Sequence, residues 1–468
     1  MHNWGKGLAG ALWLWCLPIV ASGQLLSDDA LAEAAAIRDM ALESGLAYEL
    51  LESLTTEVGP RMAGSEADAR AVAWGKAKFE ALGFDHVELQ PVKFPRWVRG
   101  EESARVLSPY PHRLVVTALG GSVGTPAGGI TANVKLFENL AALEAAPDDS
   151  LDGAIAFIAN RMERARNGSG YGPAVIARRD GASVGARKGA SAVLIRSIGT
   201  SNDRIAHTGL MRYNFAVPKI PAGALSNPDA DLLERLLSRP EPVSLQLTLE
   251  VGRDREYTTY NVIGDIHGSE KPDEFVVIGC HLDSWDVGTG ALDDGFGCAT
   301  TMAAATLIAR NTESRHRSIR VILYAIEEQG LIGARAYQAA QADQMNQHII
   351  GAESDFGAGP IYQFSSKVKP SALGAIEQIA QVLEPLGITF GNNEAGGGPD
   401  LIPLRDAGMA VANLNQDGTK YFDYHHTVND TLDKVDPESM PQNVAAYAVF
   451  AYLAAQYTGD FGFDLNEE

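Results

Sequence analysis

The chain contains very little cysteine. Only three cysteines occur in 468 residues, and one of them, Cys16, lies in an apolar segment near the N-terminus. The other two, Cys280 and Cys298, are too few for a disulfide framework, even in an oxidising compartment. Both lie in apolar stretches, so we expect two small, unbridged core residues. A bridge between them is the alternative.

Basic residues are also scarce. The sequence has 38 Lys and Arg against 59 Asp and Glu, which gives a formal charge of −21. Binding to a nucleic-acid backbone depends on clustered Lys and Arg, so the composition argues against a nucleic-acid partner. The hydrophobic share of 46% and the charged share of 21% are ordinary for a globular protein with a large core. The length allows two or three domains.

Long apolar runs are confined to the N-terminus. A short segment with one lysine precedes the apolar run Leu8 to Ala21, and small residues follow it. This is the three-part pattern of a secretory signal peptide, so we expect residues 1–23 to be removed from a secreted or periplasmic protein. A membrane anchor is the alternative, but the run is shorter than the roughly 20 residues of a membrane span. No later segment predicts a membrane span.

The remaining sequence divides into three parts. Residues 24–107 are mostly helical in pattern, with a loop at 59–65, a helix at 66–82 and a short strand at 86–90 that ends before Pro91. Residues 108–251 alternate short apolar runs with glycine-rich turns, which predicts a small separate β-rich domain. Residues 252–468 form the third part, in which the pattern changes again.

That last part alternates strands with helices. We expect strands at 275–279 and 318–325, and helices at 296–310 and 333–344. The first strand is apolar throughout, as is typical of a parallel strand buried on both faces. The pattern predicts the α/β class, with a mixed, mostly parallel sheet and helices on both faces.

Histidines and carboxylates follow the predicted strands and their connecting loops. In open α/β sheets, functional groups collect at the edge formed by the carboxyl ends of the strands. The clusters are His281-Leu282-Asp283, Asp293-Asp294-Gly295, Glu327-Glu328, Glu353-Ser354-Asp355 and His425-His426.

Each of these clusters has an ordinary explanation when it is taken alone. Adjacent glutamates are usually solvated, Asp-Asp-Gly is usually a turn, and paired histidines are usually on the surface. Their succession along one α/β pattern is what favours a metal site. Mixed histidine and carboxylate ligands suit zinc, and cobalt or manganese would also fit.

The motifs resemble those of the M28 metallopeptidases. The resemblance rests on His281-Leu282-Asp283, Asp293-Asp294-Gly295, Glu327-Glu328, Asp355 and His426-Thr427-x-x-Asp430-Thr431. Upstream, Gly59-Pro60-Arg61-Met62-Ala63-Gly64-Ser65 is similar to the family's N-terminal motif. The middle part, residues 108–251, is similar to an inserted protease-associated domain. The resemblance implies a zinc exopeptidase fold whose catalytic domain consists of residues 24–107 and 252–468.

The resemblance also implies a role for each residue of the site. Asp293 would bridge two zinc ions per chain, with His281 and Asp355 on one ion. Glu328 and His426 would complete the other site, and His425 is a competing ligand. The general base would be Glu327. Asp283 would orient His281, because a metal-bound histidine usually donates its second N–H to a carboxylate, and Asp294 would support the loop.

The function implied is hydrolysis of small peptides, expected to be dipeptides, by a homodimeric exopeptidase. The glycine-rich segment 396–400 is expected near the substrate pocket. One rival is a catalytically inactive, receptor-like member of the fold, but such proteins typically lose ligands or the base, and none is lost here. A second rival is a single-zinc glutaminyl cyclase, which would lack the middle part. In a third alternative, the middle part dominates the function as a protein-interaction module.

Overall fold

The computed structural model describes Met1 and residues 25–462. The expected signal peptide, residues 1–23, therefore lies outside the described residues apart from Met1. In chain order, the helices are α1 Asp28–Leu42, α2 Leu46–Ser53, α3 Glu66–Leu82, α4 Leu140–Ala145, α5 Tyr171–Arg187, α6 Asn227–Leu237, α7 Phe296–Asn311, α8 Ile332–Ala340, α9 Leu373–Leu383, α10 Ile402–Asp406, α11 Tyr421–Tyr424 and α12 Met440–Gln456.

The strands are distributed along the same stretch. They are β1 His86–Ser108, β2 His112–Leu114, β3 Val116–Ala118, β4 Ile130–Phe137, β5 Ile155–Ile158, β6 Ala192–Arg196, β7 Ala222–Leu225, β8 Ser244–Ile266, β9 Lys271–His281, β10 Arg317–Tyr324, β11 His348–Glu353, β12 Ile361–Lys367, β13 Thr389–Phe390 and β14 Ala410–Gln416.

Helix α3 has the limits that the sequence predicts. The Ser65 side chain accepts a hydrogen bond from the Asp68 N–H at 3.0 Å and caps the helix start. Gly83 ends the helix in the left-handed region, with φ of 88°, where glycine has no steric penalty.

Strands β1 and β8 form a long antiparallel ribbon. Their register runs from His86 opposite Asp265 to Ser108 opposite Ser244. The prediction that the first strand ends before Pro91 is therefore wrong. Over most of its length β1 has a partner on one side only, and an edge strand tolerates proline because its free side needs no N–H donor.

This ribbon links the middle segment (residues 108–251) to the rest of the sheet. Strand β8 pairs with β4, and the order then continues β5, β6, β7 and β3. The pairs β4–β5, β5–β6 and β6–β7 are parallel. The expected boundary at 251/252 falls inside β8, so the chain crosses it without a linker. The division into domains stays a prediction.

The other half of the sheet has the order β13-β12-β14-β11-β9-β10-β8. Strands β14, β11, β9 and β10 are parallel neighbours, whereas β8 and β12 run antiparallel to their partners β10 and β14. The predicted mixed, mostly parallel sheet is confirmed. Because parallel strands end at the same edge, the segments that follow β9, β10, β11 and β14 meet there.

Helices cover both faces of this half. Buried side chains of α1, α2, α3, α7, α9 and α12 form one large core, represented by Ile37, Met302 and Val449. A smaller core on the other face includes Tyr337 of α8 and Leu404 of α10. The predicted arrangement of helices on both faces of the sheet is confirmed. Among residues 25–462, no helix has the length and apolar character that crossing a membrane requires.

The expectation of two unbridged core cysteines was wrong. Cys280 and Cys298 are both buried, as expected, but they form a disulfide. Cys280 precedes His281 at the end of β9, and Cys298 lies in the first turn of α7. The loop between β9 and α7 brings the two residues together, and local sequence patterns do not reveal that proximity.

A buried carboxyl on α3 gives a testable pH dependence. Asp68 accepts hydrogen bonds from Gly64 N–H and Thr259 Oγ1, each at 2.9 Å, and burial raises its pKa to about 7. The folded state therefore favours the protonated carboxyl. The contribution of Asp68 to the free energy of unfolding is full below the unfolded pKa of about 4, and it is lost as the pH rises through about 7.

We expect Asp68→Asn to be more stable than the parent by about 2–4 kcal/mol at pH 8, with the difference shrinking towards pH 4. Asparagine mimics the neutral carboxyl, since its oxygen can accept from Gly64 and its amide can donate to Thr259. Chemical denaturation at several pH values measures the difference. The exposed Glu66→Gln on the same helix is the control, and a pH-independent difference would contradict the assignment.

Candidate metal centre

The predicted site residues come together at the carboxyl edge of the parallel strands. His281 is the last residue of β9, and Glu327 and Glu328 follow β10. Asp355 comes two residues after β11. Asp293 lies between β9 and α7, and the two adjacent histidines follow α11.

Asp293 lies at the middle of this cluster. Its Oδ1 is 3.2 Å from His281 Nε2, and its Oδ2 is 3.2 Å from His426 Nε2. The His426 nitrogen is also 3.0 Å from Glu328 Oε2, and the His281 nitrogen is 3.6 Å from Asp355 Oδ1. Two groups of donors thus share one carboxylate. One contains His281 and Asp355, and the other contains Glu328 and His426.

The two adjacent histidines differ in their contacts. His425 Nε2 is 3.7 Å from Asp293 Oδ2, farther than His426, and the two imidazole rings stack with centroids 3.5 Å apart. His426 Nδ1 is 3.3 Å from the Thr208 carbonyl oxygen, which leaves Nε2 directed to the carboxylates. His425 remains a candidate ligand, because its nitrogen lies within 4.8 Å of a carboxylate oxygen of Asp293 and of a ring nitrogen of His426.

Asp283 contacts both His281 and the loop that carries Glu327. His281 Nδ1 is 2.8 Å from the main-chain oxygen of Asp283, but 3.8 Å from its carboxylate Oδ1. The carboxylate instead accepts a hydrogen bond from the Glu327 N–H at 3.0 Å. The contact with the imidazole therefore uses the carbonyl of Asp283 rather than the expected carboxylate.

The backbone around Glu327 is strained. Ile326, immediately before it, has a φ of 59°, and Leu331 has a φ of 58°. A β-branched residue rarely adopts the left-handed region, and such strain persists only where surrounding contacts enforce it. Asn261 supplies one such contact, since its Oδ1 accepts the Ala325 N–H at 2.8 Å. The strained turn presents Glu327 to the cavity described below.

Burial and charge act together on the carboxyls. Burial raises the pKa of Glu327 well above its ordinary value, and it also raises the pKa of Glu328 and of Asp355. Burial acts in the same direction on Asp293, but hydrogen bonds from His281 and His426 hold its pKa well below the ordinary value. Adjacent buried carboxylates repel each other unless cations offset their charge, so this arrangement favours a metal site.

Two polar residues near the site, Arg61 and Asp294, support the loop between β9 and α7. The buried Arg61 guanidinium donates to the carbonyl oxygens of Leu282, Thr289 and Gly290 at 2.5, 2.6 and 2.9 Å. Asp294 accepts hydrogen bonds from the His281 N–H at 3.2 Å and the Gly297 N–H at 3.0 Å. These contacts fit the supporting position that was expected for Asp294. Through Arg61, the motif at residues 59–65 contacts the loop that carries Asp293.

Asp293, Glu328, Asp355 and His426 line a cavity of about 420 Å³, together with Glu327. An aromatic side of this cavity includes Phe356, Tyr421 and Phe422. Pro399 also lines it, so the glycine-rich segment lies beside the pocket as expected. A second cavity of about 230 Å³ shares Asp355, Phe356 and Pro399 with it and is also lined by three asparagines.

The middle segment supplies the remaining side of the larger cavity, which sequence reasoning missed. The residues concerned are Tyr171, Val175, Arg178, Arg179, Leu210 and Arg212. The middle segment also contacts the histidines directly, since His207 Nδ1 is 2.7 Å from the His425 carbonyl oxygen. The only local sign in the sequence is an Arg-Arg pair within a helix that is otherwise rich in glycine and alanine.

The chemistry of these donors fits zinc. Two imidazole nitrogens and several carboxylate oxygens converge, as zinc sites with open coordination positions require. Glu328 Oε1 is buried and has no hydrogen-bond partner among the described residues. A mixed β-sheet covered by helices, with such donors at the carboxyl edge of its parallel strands, is typical of zinc-dependent hydrolases with an exopeptidase fold.

Sequence comparison then places the chain more narrowly. The profile of peptidase family M28 matches residues 261–451. Carboxypeptidase Q of Bos taurus is 35% identical over 413 residues, which cover 87% of this chain and 85% of that protein. The chain belongs to peptidase family M28, and it is a zinc metallo-exopeptidase.

Solved structures agree with this assignment. An M28 peptidase precursor from Shewanella amazonensis has a TM-score of 0.91 and 51% identity, and the match covers 93% of this chain and 99% of that one. An aminopeptidase from an Aneurinibacillus strain has a TM-score of 0.64 at 21% identity, covering 93% of this chain and 98% of its own. The second likeness concerns the fold alone.

Proposed function

We propose that the chain is an extracytoplasmic two-zinc exopeptidase that hydrolyses small peptides, dipeptides above all. The observation that carries the proposal is the position of Asp293, whose two carboxylate oxygens each lie 3.2 Å from a different histidine. One zinc ion would be held by His281, Asp293 and Asp355. The other would be held by Asp293, Glu328 and His426.

The chain's own residues prepare the reaction. When bound, the zinc ions lower the pKa of a water molecule and polarise the scissile carbonyl group. Glu327 accepts a proton from the attacking water and returns it to the leaving amine, which is the role of a general base and acid. Asp283 holds the Glu327 backbone and the His281 ring at once, so it positions both. The cavity walls hold the peptide against the donors.

The proposal also covers the compartment and the oligomeric state of the protein. The expected signal peptide and the disulfide between Cys280 and Cys298 both suit an oxidising, extracytoplasmic compartment. A homodimer is supported by the family resemblance. Light scattering during gel filtration tests it, because a dimer has twice the mass of a single chain.

Hydrolysis of a dipeptide panel tests the proposed activity. Protein loaded with zinc should release both amino acids, and protein stripped by a chelator should recover this activity when zinc is returned. A zinc-free protein that stays inactive after zinc is added would instead support the inactive, receptor-like alternative.

The two adjacent histidines provide a sharper test of the ligand assignment. We expect His426→Ala to lose about one of two zinc ions per chain, because its Nε2 lies near both Asp293 and Glu328. His425→Ala is the matched control and should keep both ions, since its nitrogen is farther from the carboxylates. Metal analysis after dialysis measures the outcome. Loss of zinc from the His425 variant alone would reverse the assignment.

A further inference from the structure

The two adjacent histidines contact a short piece of the middle segment. This piece is His207-Thr208-Gly209, and we call it segment 207–209. Thr208 is buried, and its N–H donates a hydrogen bond to the main-chain oxygen of His426 at 3.0 Å. The main-chain oxygen of Thr208 lies 3.3 Å from His426 Nδ1. One residue of the middle segment thus contacts both the backbone and the ring of a proposed zinc ligand.

The backbone of His426 needs such contacts. Its φ is 62°, in the left-handed region that residues with a side chain rarely adopt. A conformation of this kind persists only where surrounding contacts enforce it. Thr208 supplies one of them, and the buried His207 supplies another, because its Nδ1 lies 2.7 Å from the His425 carbonyl oxygen. Segment 207–209 therefore holds the main chain at both histidines.

The contact with Thr208 also determines which nitrogen of His426 is free for a metal. A carbonyl oxygen can only accept, so this contact places the hydrogen on Nδ1 and leaves the lone pair on Nε2. A metal-bound histidine usually donates its other N–H to a carboxylate or a backbone carbonyl. His281 does so to the Asp283 oxygen, on its own strand end. His426 instead finds this partner in the middle segment.

Segment 207–209 is itself anchored to the rest of the chain. Thr208 Oγ1 donates to the Ala118 carbonyl oxygen of β3 at 2.8 Å and accepts a hydrogen bond from Arg99 Nη2 of β1 at 3.1 Å. Arg99 also pairs with Asp286, in the loop between β9 and α7, at 3.0 Å. A continuous set of contacts thus joins that loop, segment 207–209 and the histidines that follow α11.

Gly209 allows the close approach of the segment to the ring. Its φ of 129° is one that residues with a side chain rarely adopt. A Cβ at this position would overlap the Arg178 guanidinium and would lie 2.7 Å from His426 Nδ1. Because Arg178 is itself buried, neither group has much room to move. A side chain at Gly209 would therefore displace the proposed ligand.

We propose that segment 207–209 positions His426 for zinc, so that the zinc position at Glu328 and His426 is built from both parts of the chain. The inference rests on the proposed function and goes beyond it. His207 and Thr208 are positioning residues, because each acts through a histidine. Coupling between two binding events is reciprocal, so zinc at this position should also stabilise the contact of the middle segment with the histidines.

Replacing His207 tests the inference. Phenylalanine keeps a ring of similar size but cannot donate to the His425 oxygen. In His207→Phe we expect one of the two zinc ions to bind about 10- to 100-fold more weakly, the usual effect of removing a group that orients a metal ligand. The other ion should bind as in the parent. His207→Asn should recover part of the affinity, since its amide nitrogen can donate from about the position of Nδ1. Zinc titration against a competing chelator measures both affinities.

Gly209→Ala disturbs the His426 ring from the other side. We expect the same single ion to bind about tenfold more weakly or worse. Gly128→Ala is the matched control, because Gly128 lies in the same segment, has a φ of 85° and has open space where a Cβ would stand. Both variants place an alanine in an unfavourable backbone conformation. Only the Gly209 variant should weaken zinc binding.

Activity at several zinc concentrations separates positioning from general damage. His207→Phe and Gly209→Ala should regain most of the parent kcat when zinc is raised above the weakened dissociation constant, because the second position then fills. A variant with a damaged fold would not respond to zinc in this way.

Hydrogen exchange measures the reciprocal effect without substrate. Zinc added to the metal-free parent should slow exchange at the amide of Thr208, which donates to His426, and at the amide of Thr200, which donates to the Phe422 oxygen at 2.9 Å. Exchange at the Val193 amide, whose acceptor lies within the middle segment, should not change.

The outcomes separate the inference from the proposed function. If the parent binds two zinc ions and both variants bind them with unchanged affinity, the middle segment does not position His426, while the proposed function stands. Equal weakening of both ions, or zinc loss in the Gly128 control, would also overturn the inference, because the effect would not be confined to one position. A parent that binds no added zinc would overturn the proposed function, and the inference with it.

Discussion

Replacing Glu327 with glutamine should lower kcat by about 10²- to 10⁴-fold while both zinc ions stay bound, because a general base typically contributes that much. Glu327 lies outside both donor groups around Asp293, yet it lines the same cavity. Glutamine keeps the shape of the side chain but cannot accept the proton from the attacking water.

The neighbouring residue provides the matched control. Glu328→Gln makes the same chemical change one position later, at a residue whose Oε2 is 3.0 Å from His426 Nε2. We expect this variant to lose zinc as well as activity. Metal analysis beside steady-state kinetics distinguishes the two variants. A Glu327→Gln enzyme that loses zinc, or that keeps its rate within tenfold, would contradict the assignment of the base.

Asp293→Asn should have the second large effect, which is loss of both zinc ions and of measurable hydrolysis. Asp293 is the one carboxylate shared by the two donor groups, and an amide offers a single neutral oxygen where the carboxylate offers two charged ones. The change therefore weakens both proposed metal positions at once. Zinc per chain and dipeptide hydrolysis measure it.

Asp294→Asn is the control for that substitution. The Asp294 carboxylate accepts main-chain hydrogen bonds from His281 and Gly297, and burial raises its pKa well above the ordinary value. Asparagine keeps the size of the side chain but can accept only one of these two hydrogen bonds, so this variant should lose some stability. It should still keep its zinc, because Asp294 lies outside both donor groups. If the Asp293 variant bound two zinc ions while the Asp294 variant bound none, the assignment of the shared ligand would be wrong.

The local sequence patterns predicted the elements that carry the site. The apolar run of β9, the small residues of α7 and the glutamates after β10 each have a clear period or position, so the α/β alternation could be recognised. Because parallel strands end at one edge, the residues after them could also be expected to meet. The identity of the ligands came from the family resemblance, and their roles stay predictions.

Long-range contacts could not be predicted in the same way. The pairing of β1 with β8 joins segments about 150 residues apart and passes through Pro91, which locally signals a break. The disulfide depends on how the loop between β9 and α7 folds. The position of Arg178 beside His426 depends on how the middle segment packs on the rest of the chain. None of these leaves a periodic signal in the sequence.

Zinc titration of the metal-free protein, followed by dipeptide hydrolysis at each step, tests the central claim most directly. The shared position of Asp293 predicts two tightly bound equivalents per chain, with hydrolysis reaching its maximum only near the second. Full hydrolysis at one equivalent, or without zinc, would contradict the two-metal account.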